Sequence, residues 1–299
     1  MNRCLNYFHA ITALLIVCVT CTLFFIPIFF LGLLKLLPIN KLQVWCMAKV
    51  DMFAEYWIDI NNAYLQRMPN LTFQIQDTTL LDPQRCYILV ANHQSWADVL
   101  ILSKVLNRRI PVPKFFVKDQ LKWVPLLGFA WWAMGCTFVK RYSKTYLAKY
   151  PHKMGKDLQA AKKNIQALMR QPSTIMNFLE GTRFTLAKKV MQSSPYEYLL
   201  KPKSGGLQLA IQTMHQQLHS ILDVSIAYDS PQHSIWDFLC RRIHTVRVHI
   251  REIPIPTEFI TQGVALSESS QQAFHQWLND QWQQKDKIIA QLRLGNIPS

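Results

Sequence analysis

Residues Ala10 to Leu34 carry no charged side chain over 25 consecutive positions, and no other feature restricts the fold of this chain as strongly. Out of water, the backbone amides of such a stretch must bond to one another. That makes it a helix, long enough to cross a hydrocarbon core of ~30 Å. Arg3 is the only side-chain charge ahead of it, whereas Lys35, Lys41 and Lys49 follow. The positive-inside bias therefore puts the remainder of the chain on the cytoplasmic side of a plasma or bacterial inner membrane. A cleaved signal peptide fits poorly, because the apolar region is too long and no small-x-small site follows it. Pro27 and Gly32 leave open a kinked or re-entrant helix that dips in without crossing.

A second segment, residues 42–65, spreads Val44, Trp45, Ala48, Met52, Phe53, Tyr56, Trp57, Ile60 and Tyr64 at helical intervals among Lys49, Asp51, Glu55 and Asp59. Its Trp and Tyr content suits a membrane interface, and packing on the protein's own core is the competing reading. The formal charge of +15 calls for an anionic partner. An anionic membrane supplies one, which removes the need to invoke nucleic acid. The seven cysteines are odd in number, lie mainly in apolar runs and show no disulfide spacing. They read as small buried hydrophobes in a reducing compartment.

Beyond residue 70 the apolar pattern alternates. Strands are predicted near 71–75, 86–91, 113–117, 136–139, 174–179, 221–228 and 245–253, and helices at 95–106, 153–170, 203–217 and 268–293. Alternation of this kind predicts an α/β fold, a mixed sheet covered by helices, preceded by the N-terminal membrane helix. Phe129 to Met134 is rich in aromatics and can line an acyl-chain groove, rest on lipid or pack in the core. His215 and His219, four apart on the predicted helix, have no third ligand, so a surface pair is preferred to a metal site.

Two motifs stand where strands give out. Asn92-His93-Gln94-Ser95-Trp96-Ala97-Asp98 follows the apolar run Cys86 to Ala91. On one ideal helix His93 and Asp98 project about 140° apart. A helix starting near Ser95 instead leaves His93 in the strand-to-helix turn, where Asp98 can reach back to its imidazole. The carboxylate then fixes the tautomer and the other ring nitrogen is left to take a proton from a hydroxyl. The competing reading is a helix cap, Ser95-x-x-Asp98, with His93 an ordinary turn residue. The second motif, Glu180-Gly181-Thr182-Arg183, follows the run Thr174 to Leu179. Gly181 permits close approach of backbone to an anion, Thr182 brings a hydroxyl and Arg183 a planar fork suited to phosphate. Ligands of open α/β sheets collect at the carboxyl ends of strands, so both motifs can face one crevice.

Together the motifs resemble the glycerolipid acyltransferase family, typified by the 1-acylglycerol-3-phosphate acyltransferases, whose signature is Asn-His-x4-Asp followed by Glu-Gly-Thr-Arg. Lys118-Asp119-Gln120-Leu121 with Gly128 and Phe138-Val139-Lys140-Arg141 resembles the family's second block, and Ile221 to Tyr228 occupies the place of its fourth. Lys201 to Gly206 is similar to a segment of the branch that includes lysocardiolipin acyltransferases and an enterobacterial inner-membrane acyltransferase. Two departures concern substrate binding: Gln120 stands where an acid is usual, and Leu222-Asp223-Val224-Ser225 lacks the usual Pro.

The resemblance implies a membrane-bound acyltransferase, with residues 1–66 as membrane anchor and interfacial helix and 67–299 as catalytic domain. It implies transfer of a fatty acyl group from acyl-coenzyme A or acyl carrier protein to a lysophospholipid, foremost 1-acylglycerol-3-phosphate, with the thioester as co-substrate and no metal or bound cofactor. His93 is then the base and Asp98 its partner. Glu180, Gly181, Thr182 and Arg183, aided by Lys140 or Arg141, hold the acceptor phosphate, and Lys118 lies near the reacting carbonyl. The alternatives are a lysocardiolipin-like acceptor and a non-catalytic basic membrane-binding protein.

Overall fold

The computed structural model describes residues 3–68, 70–139, 156–231, 233–260 and 267–295. Helix α1 (Arg3–Leu34) runs without interruption through Pro27, and α2 (Asn40–Gln66) follows. Seven strands come next: β1 (Thr72–Asp77), β2 (Cys86–Ala91), β3 (Pro113–Lys118), β4 (Thr137–Val139), β5 (Thr174–Asn177), β6 (Leu218–Tyr228) and β7 (Thr245–Ile253). Between and after them lie α3 (Ala97–Leu106), a 3-10 turn (Asp119–Trp123), α4 (Leu127–Ala133), α5 (Lys156–Leu168), α6 (Leu186–Met191), α7 (Ser204–Met214), α8 (Ile235–Leu239) and α9 (Glu268–Arg293).

The strands form one sheet in the order β1-β7-β6-β2-β5-β3-β4, parallel throughout except for the antiparallel β6–β7 pair. The expected mixed sheet covered by helices is therefore the architecture found. Strand β2 is buried along its whole length, as a central strand covered on both faces must be. Its alternate residues divide the core. Tyr87, Leu89 and Ala91 pack with Ile101 and Val105 of α3, whereas Ile88 and Val90 pack with Ile165 of α5, Ile211 of α7 and Trp282 of α9.

The N-terminal hairpin is bonded within itself and fastened to this body near both ends of α1. Trp57 Nε1 of α2 donates to Thr20 Oγ1 at 3.2 Å. Near one end of α1, Tyr7 stacks on Trp236 of α8. Just past the other end, Lys35 Nζ donates to the carbonyl of Ala133 at 3.0 Å. Gly32 permits the close approach, since a Cβ there would lie 2.7 Å from the Phe129 ring. The aromatic stretch of α4 thus packs on α1, with Phe129 against Phe25 and Phe29. The remaining outer face of α1, including Phe8, Leu15, Leu23 and Phe30, is exposed.

Three elements depart from the sequence reading. Strand β5 ends at Asn177 rather than 179, because the chain turns there, with the Gly181 N–H bonding the Phe178 carbonyl. Helix α3 begins at Ala97, which puts Asp98 in its first turn. Helix α7 stops at Met214, so His219 falls within β6, beside Arg85, and does not share a helix face with His215.

Candidate active site

Strand register brings the two motifs together. Val90 of β2 pairs with Asn177 of β5, and His93 and Glu180 stand at equal distances beyond those partners. Beyond the ladder the chains remain joined. The Phe184 N–H donates to the His93 carbonyl at 2.7 Å, and the His93 N–H donates to Glu180 Oε1 at 2.8 Å. On the other side, Asn92 ties the end of β2 to β6. Its amide oxygen accepts the Ile226 N–H at 2.8 Å and its Nδ2 donates to the Ile226 carbonyl at 2.9 Å.

Within this frame His93 Nδ1 lies 2.9 Å from Asp98 Oδ2. An ionised carboxylate only accepts, so the proton belongs on Nδ1 and Nε2 is left with its lone pair. The same Oδ2 accepts the N–H groups of Gln94 at 2.7 Å and Ser95 at 2.8 Å. Asp98 thus holds both the imidazole and the backbone turn before α3, while the expected capping box is not formed, since the N-cap is Trp96 and the Asp98 N–H bonds the Ser95 carbonyl. Its other oxygen, Oδ1, accepts the Tyr228 hydroxyl at 2.5 Å. Asp98 is fully buried and the His93 side chain 14% exposed, so the ring alone opens outward. Phe178 backs the imidazole in a stacked contact of 4.0 Å between centroids.

Glu180 departs from its expected part as a phosphate contact. It is fully buried, with Oε1 on the His93 N–H and Oε2 on the Leu200 N–H at 2.9 Å. Burial pushes its carboxyl up to about 8, against the pull of those two donors and of Lys285. Its role is to hold the His93 turn. Gly181 has φ 68°, a left-handed conformation that glycine adopts without a Cβ clash. Arg183 projects outward over the Trp96 ring, 5.6 Å from its centroid. Thr182 Oγ1 accepts from Lys188 Nζ at 2.8 Å, and the same ammonium donates to the Arg183 carbonyl. Lys118 ends β3 and is exposed, at the same carboxyl edge of the sheet. Lys140 and Arg141 fall outside the described residues.

Sequence reasoning missed the parts played by Tyr228, Phe178 and Lys188. Lys188 had an available signal, since it lies just after Arg183 in a short helix capped by Thr185. Tyr228 had none, because only strand order brings it to Asp98. Asp223, in the segment that lacks the family's Pro, has a structural part as well. Buried in β6, it accepts from Lys285 Nζ at 2.6 Å and Arg251 Nε at 3.0 Å, docking α9 on the sheet. Helix α9 in turn supports the site, since Trp282 Nε1 donates to the carbonyl of Leu200, the residue whose N–H holds Glu180.

The sequence profile of the family described as Acyltransferase matches residues 72–229, more than half of the chain, from β1 to the end of β6. The chain belongs to this acyltransferase family. Among curated relatives it is 24% identical to 1-acyl-sn-glycerol-3-phosphate acyltransferase epsilon of Mus musculus, over 68% of this chain and 56% of that one. It is 26% identical to 1-acyl-sn-glycerol-3-phosphate acyltransferase alpha of Homo sapiens, over 66% of this chain and 60% of that one. The chain thus spans less than two thirds of the length of these relatives. The crystal structure of the 1-acyl-sn-glycerophosphate (LPA) acyltransferase from Thermotoga maritima shares the fold, with a TM-score of 0.57 at 17% identity, covering 96% of this chain and 97% of that one.

Proposed function

We propose that this protein transfers a fatty acyl group from a thioester, acyl-coenzyme A or acyl carrier protein, to the free hydroxyl of a lysophospholipid, foremost 1-acylglycerol-3-phosphate, giving phosphatidate. The observation that carries this reading is the 2.9 Å contact of His93 Nδ1 with Asp98 Oδ2, at the edge of the sheet that also bears Arg183. His93 Nε2 takes the proton of the acceptor hydroxyl as its oxygen attacks the thioester carbonyl. The imidazolium so formed is steadied by Asp98. It returns the proton to the departing sulfur, so that an ester and a free thiol are the products. No protein nucleophile takes part.

Arg183 holds the acceptor phosphate by a charge-assisted pair, with Lys188 as the neighbouring cation. Thr182 faces the same ammonium, and Gly181 shapes the turn. Lys140 and Arg141 are proposed as further phosphate contacts and Lys118 as a contact near the thioester carbonyl. Two amphiphiles must meet in one geometry, and a crevice beside a lipid surface supplies that positioning. Helix α1 contributes the surface. Its stretch long and apolar enough to cross a membrane, Asn6–Leu34, leaves most of its residues unburied. Because α1 is fastened to the body near both ends, we propose that its bare face rests in the lipid on the side where the catalytic domain lies.

An acceptor panel with purified protein in mixed micelles tests the proposal. Lysophosphatidate is expected to be the best acceptor over neutral lysolipids, and Arg183→Ala to raise its apparent KM with a smaller change in kcat. An Arg183→Ala protein with unchanged dependence on acceptor concentration contradicts the phosphate role. Preference for a lysolipid with a larger headgroup would move the assignment to that acceptor with the same chemistry.

A further inference from the structure

Helix α6 is amphipathic in the inverted sense for a water-soluble protein. At 100° per residue, Leu186, Ala187, Val190 and Met191 share an arc of about 140°, and that arc faces out. Leu186 is 72% exposed, Val190 77% and Met191 75%. The two lysines turn back onto the protein instead. Lys188 Nζ donates to Thr182 Oγ1 and the Arg183 carbonyl, and Lys189 Nζ donates to the Glu197 carbonyl at 3.2 Å. Charged side chains thus bond the helix to the domain while its apolar side is left to the surroundings, the arrangement expected of a surface whose solvent is not water.

The neighbourhood has the same character. Trp123 is 79% exposed at the carboxyl end of β3, and Trp96, Leu126 and Leu127 are exposed on the segments leaving β2 and β3. All belong to the edge of the sheet at which His93 stands. Helix α4, which begins at Leu127, is packed on α1, so this edge is joined to the bare apolar helix at the N-terminus. Trp suits the headgroup layer, and the net charge of +15 suits an anionic one.

From this we propose that α6 is a second lipid-contacting element, inserting Leu186, Val190 and Met191 into the bilayer beside the active-site turn so that acceptor lipids reach His93 without leaving the membrane. The inference rests on the acyl-transfer reading for its kinetic arm but not for its physical one.

The physical arm uses a photoreactive benzoylphenylalanine at position 190 of the full chain, irradiated with phosphatidylethanolamine–phosphatidylglycerol vesicles, with position 283 on the exposed side of α9 as control. Lipid adducts at 190 and none at 283 are expected. The kinetic arm compares wild type with the Leu186→Ser, Val190→Ser, Met191→Ser triple variant. Removing three apolar side chains from the bilayer should raise the apparent KM for vesicle-borne acceptor by about tenfold or more. Activity on a short-chain, monomeric acceptor should change little. Absence of adducts at 190, or equal loss on both acceptors, overturns the proposal. A wild type that acylates nothing sinks the acyl-transfer reading and leaves the adducts to judge α6.

Discussion

Glu180 accepts the backbone N–H of His93 at 2.8 Å, so the second motif of this chain carries the first. A buried carboxyl group between two strand ends fixes the turn from which the imidazole projects. Residues that looked like a ligand set in the sequence divide into a support, Glu180, a turn-former, Gly181, and an outward-facing cation, Arg183.

Replacing Glu180 by Gln tests that support through pH. The folded carboxyl titrates at about 8 against an ordinary 4.5, so the folded state binds more protons than the unfolded one between those values. Its contribution to stability is present below 4.5 and is lost as pH rises through about 8, with a slope of up to about 1.4 kcal/mol per pH unit. Urea unfolding across this window should show that slope in wild type and a flatter one in Glu180→Gln. An unchanged slope contradicts the assignment. The amide also sets a donor against one of two N–H groups, so the turn should loosen and activity fall by about a hundredfold.

Asp98→Asn separates the two duties of one side chain. With its oxygen in the place of Oδ2, Asn can still accept the Gln94 and Ser95 N–H groups and the His93 ring N–H, but it carries no charge to steady the imidazolium and turns an NH2 donor toward the Tyr228 hydroxyl. A loss in kcat of roughly 10³–10⁴-fold is expected, by analogy with the same change behind other catalytic histidines, with the protein still folded. Retention of more than about a tenth of the activity would leave Asp98 as a support of the turn alone.

Tyr228→Phe removes the sole donor to Asp98 Oδ1 among the described residues. Burial and the charge of Asp98 raise this phenol well above its ordinary value, so it remains a donor over the working range. Hydrogen bonds to charged groups contribute about 1.5–3 kcal/mol, and denaturant unfolding should register a loss of that size. Activity should fall less than in Asp98→Asn, since Oδ2 keeps its three partners. An unchanged stability would show that the bond contributes nothing.

Lys285→Met leaves Asp223 buried with Arg251 as its remaining cation. Breaking such a pair costs about 3–5 kcal/mol, read as a lower unfolding midpoint. Loosened docking of α9 should also weaken the Trp282 to Leu200 bond and so reach Glu180. Pairing it with Asp223→Leu should recover much of the stability. A single variant within about 1 kcal/mol of wild type would contradict the role given to this network.

How far these relations could be read in advance follows from their range. Strand β2 and helix α9 were legible because burial on both faces and a Ser-capped, acidic start leave local marks, and the dyad was legible because His93 and Asp98 lie within one turn. The inward aim of Glu180 was not, because it depends on Val90 pairing with Asn177, a long-range register. The same holds for Tyr228, which reaches Asp98 only because β6 lies beside β2. The segment Leu222 to Ser225 read only as lacking the family's Pro, and the part of Asp223 was not legible, because its partners, Lys285 and Arg251, come from elements later in the chain.

The most direct test of the account is transfer of a labelled acyl group from acyl-coenzyme A, and separately from acyl carrier protein, to 1-acylglycerol-3-phosphate by wild type and His93→Gln of equal stability. The account predicts labelled phosphatidate and an equal amount of free thiol from wild type with at least one donor, and neither above background from the variant. Phosphatidate formed by His93→Gln at a rate near that of wild type would contradict it.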